Sequence, residues 1–320
     1  MSVLVYTESE NGKFKKTAFE VASYAKAVAD QLGTTVTAVA VNADDVSELG
    51  KYGVDKVLKV SNADLKTFNA KSYASVLKQA AENESSKVVV VSSSADSKYL
   101  APLLAVNLDA GYASNVVEVP SSTSPFTVKR TAFTNKAFNI TTIDTNVKIV
   151  GVSNNSYGLV ENSASATAED FAPSVPTSGV TVESVDKVTD KVTIADAEIV
   201  VSAGRGLKGP ENWGMIEELA EVLGAATACS KPVSDLGWRP HSEHVGQTGK
   251  PVAANLYIAI GISGAIQHLA GINASKVKVV INTDPEAPFF KAADYGVVGD
   301  AFEVVPALIE KLKAFKAANA

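Results

Sequence analysis

The sequence predicts an α/β protein of two doubly wound domains, the N-terminal one with an antiparallel extension and the C-terminal one Rossmann-like. Its 320 residues are enough for about two domains. Strand and helix patterns alternate in both halves of the chain, which is typical of mostly parallel sheets. Between the halves, residues 153–180 are rich in Ser, Ala, Asn, Thr and Pro, as in a linker or surface loop. We therefore predict domains at residues 1–190 and 191–320.

The first half predicts a parallel sheet that is covered on both faces. The predicted strands are Val3–Tyr6, Thr35–Val41, Val57–Val60 and Val88–Ser92, and the predicted helices are Thr17–Leu32 and Ser72–Glu84. Gly33 ends the first helix, and the nearly all-valine fourth strand suits a sheet without a solvent face. Residues 116–152 show little helical pattern and predict the antiparallel extension. Its predicted strands are Val116–Val119, Thr127–Thr134, Asn139–Thr142 and Val147–Val150.

The second half restarts the alternating pattern and carries most of the polar loops. The predicted strands are Glu198–Ser202, Asn255–Ile260, Lys276–Asn282 and Gly296–Gly299, and the predicted helices are Glu211–Leu223, Ser263–Leu269 and Ala301–Phe315. Ligands of doubly wound sheets bind beyond the carboxyl ends of the strands, where these loops begin.

Composition and charge disfavour several classes of function. The net charge is -6 and no run of Lys and Arg stands out, so nucleic acid and anionic membranes are poor candidates for partners. Cys229 is the single cysteine, which rules out an intrachain disulfide and suits a reducing compartment. The three histidines lack metal-site spacing, so we expect no metal. Residues 251–272 carry no charge, yet their polar and glycine residues favour buried strand, turn and helix over a membrane span.

The segment Gly204–Gly209 matches the dinucleotide fingerprint Gly-x-Gly-x-x-Gly between a predicted strand and a predicted helix. Such a turn can offer backbone N–H groups to a phosphate. The acidic residue that usually holds a ribose is absent, because the next strand ends at Ala228-Cys229-Ser230. A glycine-rich turn without a ligand therefore stays open as an interpretation.

Three further loops follow or flank the predicted strands of this domain. Val245–Lys250 has two glycines and a hydroxyl but lacks the spacing of a P-loop. In Gly261–His268, Ser263 is a candidate helix cap, and His268 is either a core residue or a functional one. Asn282 and Asp300 end strands, where each could hold a ribose or ribityl hydroxyl or could serve as an Asx turn or helix cap. No Gly-x-Ser-x-Gly nucleophile elbow is present, and we predict no catalytic residue.

Five segments in this half resemble the α subunit of electron transfer flavoproteins in order and spacing. They are Gly204–Lys208, Val245–Lys250, Gly261–Gly271, Asn282–Pro288 and Ala293–Gly296. The N-terminal half agrees more loosely, through Val54–Leu58 and Leu108–Ala110. The resemblance implies an electron carrier, without a small-molecule substrate of its own, whose C-terminal domain binds FAD.

The resemblance also implies a set of FAD-binding residues. They are Arg205, Ser230, Lys231, Val245, Gly246, Gln247, Thr248, Ser263, Gly264, Ala265, Ile266, Gln267, His268, Asn282, Asp300 and Ala301. Thr248 would face the flavin N5, and His268 would donate toward the flavin O2, where negative charge gathers on reduction. Lys231 stands where the family often has Arg, so the charge is kept but the planar stacking group is lost.

The implied partners are a β subunit that commonly carries AMP, flavin dehydrogenases such as acyl-CoA dehydrogenases as donors, and a quinone oxidoreductase as acceptor. Met1 leads almost directly into an apolar strand, so we expect no signal segment and no integral membrane part. The expected location is the cytoplasm, or the mitochondrial matrix for a processed eukaryotic chain. Two alternatives stay open, an NAD(P)-dependent dehydrogenase and a nucleotide-binding scaffold module.

Overall fold

The computed structural model describes residues 2–133, 135–162, 164–185, 193–194 and 197–319. The chain divides into two compact units. Unit 1 comprises Met1–Ala132 and Phe138–Val185, and unit 2 comprises Phe133–Ala137 and Asp186–Ala320. The predicted boundary between residues 190 and 191 lies outside the described residues, so it stays a prediction.

Unit 1 is built on a ten-stranded sheet with the order β10-β9-β7-β11-β6-β1-β4-β5-β12, and β8 pairs with β9. Its elements are β1 Ser2–Thr7, β2 Ser9–Glu10, β3 Lys13–Phe14, α1 Lys16–Leu32, β4 Thr35–Val41, β5 Lys56–Val60, α2 Ala70–Asn83, β6 Val88–Ser92, α3 Ala95–Leu108, β7 Ala110–Val116, β8 Ser122–Thr123, β9 Phe126–Ala132, β10 Ala137–Ile143, β11 Val147–Val152 and β12 Thr167–Asp170. Strands β2 and β3 form a separate small hairpin.

Helices cover both faces of the unit 1 sheet, which explains its runs of valine. On one face α1 packs Val21 and Val28 into a core with Val3 of β1. On the other face α2 and α3 pack Leu77 and Leu104 against the opposite side of the same strands. A strand buried on both sides reads as a continuous apolar run, as the first four residues of β6, all valine, do. The predicted α/β fold class is confirmed.

Unit 1 differs from the prediction at helix α3, which was not predicted, and at three strands. The predicted strand Val147–Val150 is real, but as β11 it lies between β6 and β7 and is parallel to both. The antiparallel pairs β7–β9 and β8–β9 lie beyond it in the sheet. The prediction of a strand at Val116–Val119 is wrong beyond Val116, because β7 occupies Ala110–Val116. The polar segment 153–180 also contributes β12, which adds to β5 at the sheet edge.

Unit 2 is a five-stranded, fully parallel sheet with the order β14-β13-β15-β16-β17. Its elements are β13 Ile199–Ala203, α4 Gly214–Leu223, β14 Ala226–Cys229, α5 Lys231–Asp235, β15 Leu256–Ile260, α6 Ile266–Ile272, β16 Val277–Asn282, β17 Tyr295–Val298 and α7 Ala301–Ala318. One face packs against α4 and α7, and the other against α6 and the loops before β15. From β13 the chain first adds β14 on one side and then adds β15 on the other side of β13. Such sheets bind ligands at this switch point between β13 and β15.

Two predicted helices of unit 2 begin later than expected. Pro210–Asn212 form a separate 3-10 turn, so α4 starts at Gly214 rather than at residue 211. Helix α6 starts at Ile266 with Ala265 as its N-cap and no side-chain cap, so the prediction that Ser263 caps it is wrong. Ser263 instead accepts a hydrogen bond from Phe289 N at its main-chain oxygen, 3.0 Å away. None of the described helices is long and apolar enough to cross a membrane.

Candidate functional site

All sixteen predicted site residues lie in unit 2, and most sit directly beyond the carboxyl ends of its strands. Arg205 follows β13, Ser230 and Lys231 follow β14, residues 263–268 follow β15, Asn282 ends β16, and Asp300 and Ala301 follow β17. Because the five strands are parallel, these loops share one edge of the sheet. The remaining four residues, Val245, Gly246, Gln247 and Thr248, belong to the loop between α5 and β15.

Main-chain hydrogen bonds join neighbouring loops into a continuous ledge along this edge. Ser230 N donates to Ala203 O at 3.1 Å, which ties the loop after β14 to the end of β13. Gly204 N donates to Ile260 O at 2.9 Å, which ties β13 to β15. On the other side, Gly299 N donates to Asn282 O at 3.0 Å. Main-chain hydrogen bonds therefore hold much of this ledge together.

The first two glycines of the fingerprint allow two loops to touch. A Cβ at Gly204 would lie 2.3 Å from Gly261 O, and a Cβ at Gly206 would lie 2.6 Å from Gly261 Cα. Gly206 N also donates to Gly261 O at 3.2 Å. The loop contains a 3-10 turn at Arg205–Leu207, and a second one at Pro210–Asn212 separates it from α4, so its N–H groups do not form the first turn of that helix. The glycines thus serve packing between the loops after β13 and β15.

The loop at residues 245–248 lies over the end of β14 and contacts α6. Val245 N donates to Cys229 O at 3.0 Å, and Gln247 N donates to Gln267 O at 2.8 Å. A Cβ at Gly271 would lie 2.6 Å from Gly246 Cα, so this approach requires a glycine on the α6 side. The structure therefore brings the predicted loop segments at 230–231, 245–248 and 263–268 together.

Exposure divides the predicted site residues into an accessible set and a supporting set. The exposed residues are Arg205, Lys231, Gln247, Thr248, Ser263, Ala265, Ile266 and Gln267. The buried residues are Ser230, Val245, Gly246, Gly264, His268 and Ala301, while Asn282 and Asp300 are half-buried. Ile266 stands out because 77% of this apolar side chain is exposed at the first turn of α6. A flat apolar ligand could cover it.

His268 is buried behind the ledge and makes one side-chain hydrogen bond. Its Nε2 lies 2.9 Å from the hydroxyl oxygen of Tyr257, and its Nδ1 is buried without a hydrogen-bond partner among the described residues. Burial, reinforced by the nearby His244, lowers the pKa of His268 to about 4. The imidazole is therefore neutral at pH 7.

Sequence reasoning missed Tyr257 and His244. Tyr257 is completely buried on β15, and burial holds the pKa of its hydroxyl well above its usual range. His244 is also buried, and its Nδ1 likewise has no hydrogen-bond partner within the described part of the chain. In the sequence, Tyr257 is marked by a hydroxyl in an otherwise apolar strand. Its partner His268 lies eleven residues later, so spacing along the chain did not connect the two side chains.

Asn282 and Asp300 both have structural roles. Asn282 Nδ2 donates to Ile262 O at 3.0 Å, and Asn282 Oδ1 accepts from Asp284 N at 3.0 Å as an Asx turn. Asp300 caps α7 by accepting from Phe302 N at 3.0 Å. Lys208 Nζ lies 3.7 Å from Asp300 Oδ2. Since a carboxylate and an amide each accept several bonds, these roles leave room for a ligand hydroxyl.

The strand order, the ledge of loops and the exposed side chains on it are typical of one class of domain, the doubly wound domains that bind nucleotide cofactors. Unit 2 is a doubly wound domain with exposed cations, hydroxyls and an apolar side chain at its switch point, as a nucleotide cofactor requires. In the described part of the chain, no group of three His, Cys, Asp or Glu side chains could hold a metal ion.

Comparison with known proteins places the chain within this class. Residues 193–273 match the electron transfer flavoprotein FAD-binding domain, and residues 3–176 match the electron transfer flavoprotein domain. Electron transfer flavoprotein subunit alpha of Bacillus subtilis is 37% identical over 97% of each chain. The same subunit of Syntrophomonas wolfei is 36% identical, over 97% of this chain and 98% of the relative. A probable mitochondrial α subunit of Caenorhabditis elegans is 35% identical, over 97% and 93%. The chain belongs to the electron transfer flavoprotein α-subunit family.

Proposed function

We propose that this chain is the FAD-carrying subunit of a two-subunit electron carrier. The observation that supports this most is the gathering of three polar loops at the switch point of unit 2, within or beside the residues that match an FAD-binding domain. The side chains present suit FAD, since the ledge offers cations for the pyrophosphate and an exposed Ile266 for the ring system. FAD would supply the redox chemistry when bound, while the protein positions it and tunes its potential.

The proposed ligands are the sixteen residues at and behind the ledge. Arg205 would meet the phosphates as a charged donor, and Thr248 offers an exposed hydroxyl close to α6. Lys231 brings an exposed ammonium to the loop after β14. Positive charge and fixed donors in a partly dry site favour negative charge on a reduced ring, by the electrostatic argument that applies to oxyanion holes.

His268 would act as a neutral donor rather than as a cation. Its pKa of about 4 keeps it uncharged at pH 7, and its hydrogen bond to Tyr257 takes up Nε2. Nδ1 is then the nitrogen left for the cofactor, provided that the ring or its surroundings shift enough to expose it.

The proposed partners follow from the family. A β subunit, commonly with AMP, would complete the molecule, flavin dehydrogenases such as acyl-CoA dehydrogenases would donate electrons, and a quinone oxidoreductase or another acceptor would receive them. In this proposal the protein acts between other redox proteins and has no small-molecule substrate of its own. The proposed location is the bacterial cytoplasm or the mitochondrial matrix.

The experiment that tests the function is co-expression with the candidate β subunit, followed by identification of the bound cofactor and an anaerobic reductive titration. We expect a yellow heterodimer with FAD that is reduced by one electron at a time. A colourless protein, or one reduced directly by NADH in a two-electron step, would contradict the proposal and favour a scaffold or a dehydrogenase.

The role of Lys231 is tested separately with a matched lysine in the same unit. Lys276 is exposed just before β16, at the opposite edge of the sheet, so Lys276→Ala makes the same charge change away from the site. We expect Lys231→Ala to lower the first reduction potential and Lys276→Ala to leave it unchanged. Equal potentials in both variants, with FAD still bound, would exclude Lys231 from the tuning of the cofactor but would leave the carrier proposal intact.

A further inference from the structure

Unit 1 has a switch point of its own, at the carboxyl ends of β1 and β6. The chain builds the sheet outward from β1 through β4 to β5, and then places β6 on the other side of β1. Doubly wound domains bind anionic ligands at such a point, often at the N-terminus of a following helix. Here the following helix is α3, which has 14 residues and is separated from β6 by two residues.

The group at this point is the carboxylate of Glu8, the first residue after β1. Its Oε1 accepts three hydroxyl hydrogen bonds, from Ser92 at 2.6 Å, Ser94 at 2.5 Å and Ser97 at 2.8 Å. Ser92 ends β6, Ser94 is the N-cap of α3, and Ser97 lies in its first turn. Glu8 is only 3% exposed, so the chain has placed a carboxylate deep in the crevice.

The surroundings of Glu8 suit an anion. The N-terminus of α3 carries a partial positive charge, and Lys15 Nζ lies 3.6 Å from Glu8 Oε2. Oε2 itself is buried and has no hydrogen-bond partner among the described residues. Three hydroxyl donors, a helix N-terminus and an ammonium are what a protein commonly offers to a phosphate or a carboxylate ligand.

We propose that unit 1 contains an anion-binding site at its switch point and that Glu8 occupies it from within, in the place of a phosphate or carboxylate ligand. A buried carboxylate is costly unless it is bonded, and the three serines meet that requirement. The proposal has two consequences. The intact chain admits no anionic nucleotide at this crevice, and removal of the Glu8 side chain leaves a vacant site for a small anion.

The test is chemical rescue of the full chain by inorganic phosphate or formate. Glu8→Ala removes the internal carboxylate, and Glu10→Ala is the control, since Glu10 is a half-exposed carboxylate that also approaches Lys15, at 4.0 Å. Thermal unfolding and hydrogen exchange of residues 88–108 are measured in phosphate, formate and chloride at equal ionic strength.

We expect Glu8→Ala to lower the melting temperature and to weaken protection of residues 88–108. Phosphate or formate should restore both, saturably and beyond the effect of chloride. The unaltered chain and Glu10→Ala should show only the general stabilisation that phosphate gives folded proteins, and this sets the baseline for the rescue. If Glu8→Ala gains no more from phosphate or formate than these two chains do, or if the unaltered chain is selectively stabilised at residues 88–108, the proposal is overturned.

A second set of variants keeps the test decisive if Glu8→Ala does not fold. Glu8→Leu keeps most of the volume but removes the charge and both acceptor oxygens, and Ser97→Ala removes one fully buried donor. The proposal predicts that Ser97→Ala lowers the melting temperature much less in the Glu8→Leu chain than in the unaltered chain. Equal losses in the two backgrounds would show that the serine does not serve the carboxylate, and would refute the proposal.

Discussion

Replacement of Gly204 by alanine tests whether the fingerprint glycines serve packing or a ligand. The new Cβ would lie 2.3 Å from Gly261 O and 2.9 Å from its carbonyl carbon, and these main-chain atoms cannot rotate away. The backbone of Gly204, at φ -117° and ψ -171°, is open to alanine, so the substitution adds no backbone strain of its own. Forced overpacking costs about 1–3 kcal/mol. Loss of the Gly206–Gly261 hydrogen bond adds about 1 kcal/mol.

We therefore expect Gly204→Ala to lower the free energy of unfolding of unit 2 by roughly 2–4 kcal/mol, even without cofactor. The assay is denaturant unfolding followed by tryptophan fluorescence, because both tryptophans, Trp213 and Trp238, belong to unit 2. Gly214→Ala is the matched control, since nothing lies within 4 Å of its Cβ position. An unchanged midpoint in Gly204→Ala, combined with loss of FAD, would refute the packing argument and assign the glycine to the ligand.

Three further predictions concern unit 2. Because the pKa of His268 falls from about 6.5 in the unfolded chain to about 4 in the folded one, the stability of the cofactor-free chain should decline as the pH falls from 6.5 to 4. The decline is about 3 kcal/mol, at about 1.4 kcal/mol per pH unit, and His268→Gln should remove most of it in the same fluorescence assay. Asp300→Ala should cost about 0.5–2 kcal/mol through loss of the α7 cap, whereas Asp300→Asn should cost less because it still caps. Burial raises the pKa of the Cys229 thiol to about 12, so a thiol reagent should label it only after denaturation. Rapid labelling of the native chain would contradict that burial.

Elements with strong local signals could be predicted from the sequence, and those set by distant pairing could not. Helix α1 shows apolar residues at helical spacing and ends at Gly33, which adopts the left-handed conformation expected of a C-cap. Strand β7 contains Ala, Gly, Ser and Asn, which have low strand propensity, and it forms because β11 pairs with it. Strand β12 is exposed at every position, so no alternation of apolar and polar residues marks it.

Helix α3 escaped prediction for a different reason. Its apolar residues surround the helix instead of forming one stripe, and Pro102 interrupts the pattern. The first-turn signal was nevertheless present, because Ser94 caps the helix by accepting from Ser97 N at 3.0 Å. Ser94 therefore marks the start of α3 in the sequence.

In the candidate site, too, the features with local sequence signals were predicted and those set by contacts between distant residues were not. The loops were found because their glycines and polar residues follow predicted strands, and parallel strands bring such loops to one edge. The Tyr257–His268 contact could not be found, since β15 and α6 meet through the fold of the intervening turn. The contact between Gly204 and Gly261 was hidden in the same way, because the sequence pattern is identical whether a glycine approaches a phosphate or another main chain.

The position of β11 has a consequence for how the chain is synthesised. This strand inserts between β6 and β7, so the middle of the sheet is supplied by residues 147–152, after both of its neighbours have been made. A nascent chain that stops short of residue 147 holds two sheet fragments whose inner edges, β6 and β7, display unpaired main-chain groups. Such edges invite pairing with other chains. The interval between the emergence of β7 and that of β11 is thus a period in which the growing protein exposes sheet edges that favour aggregation.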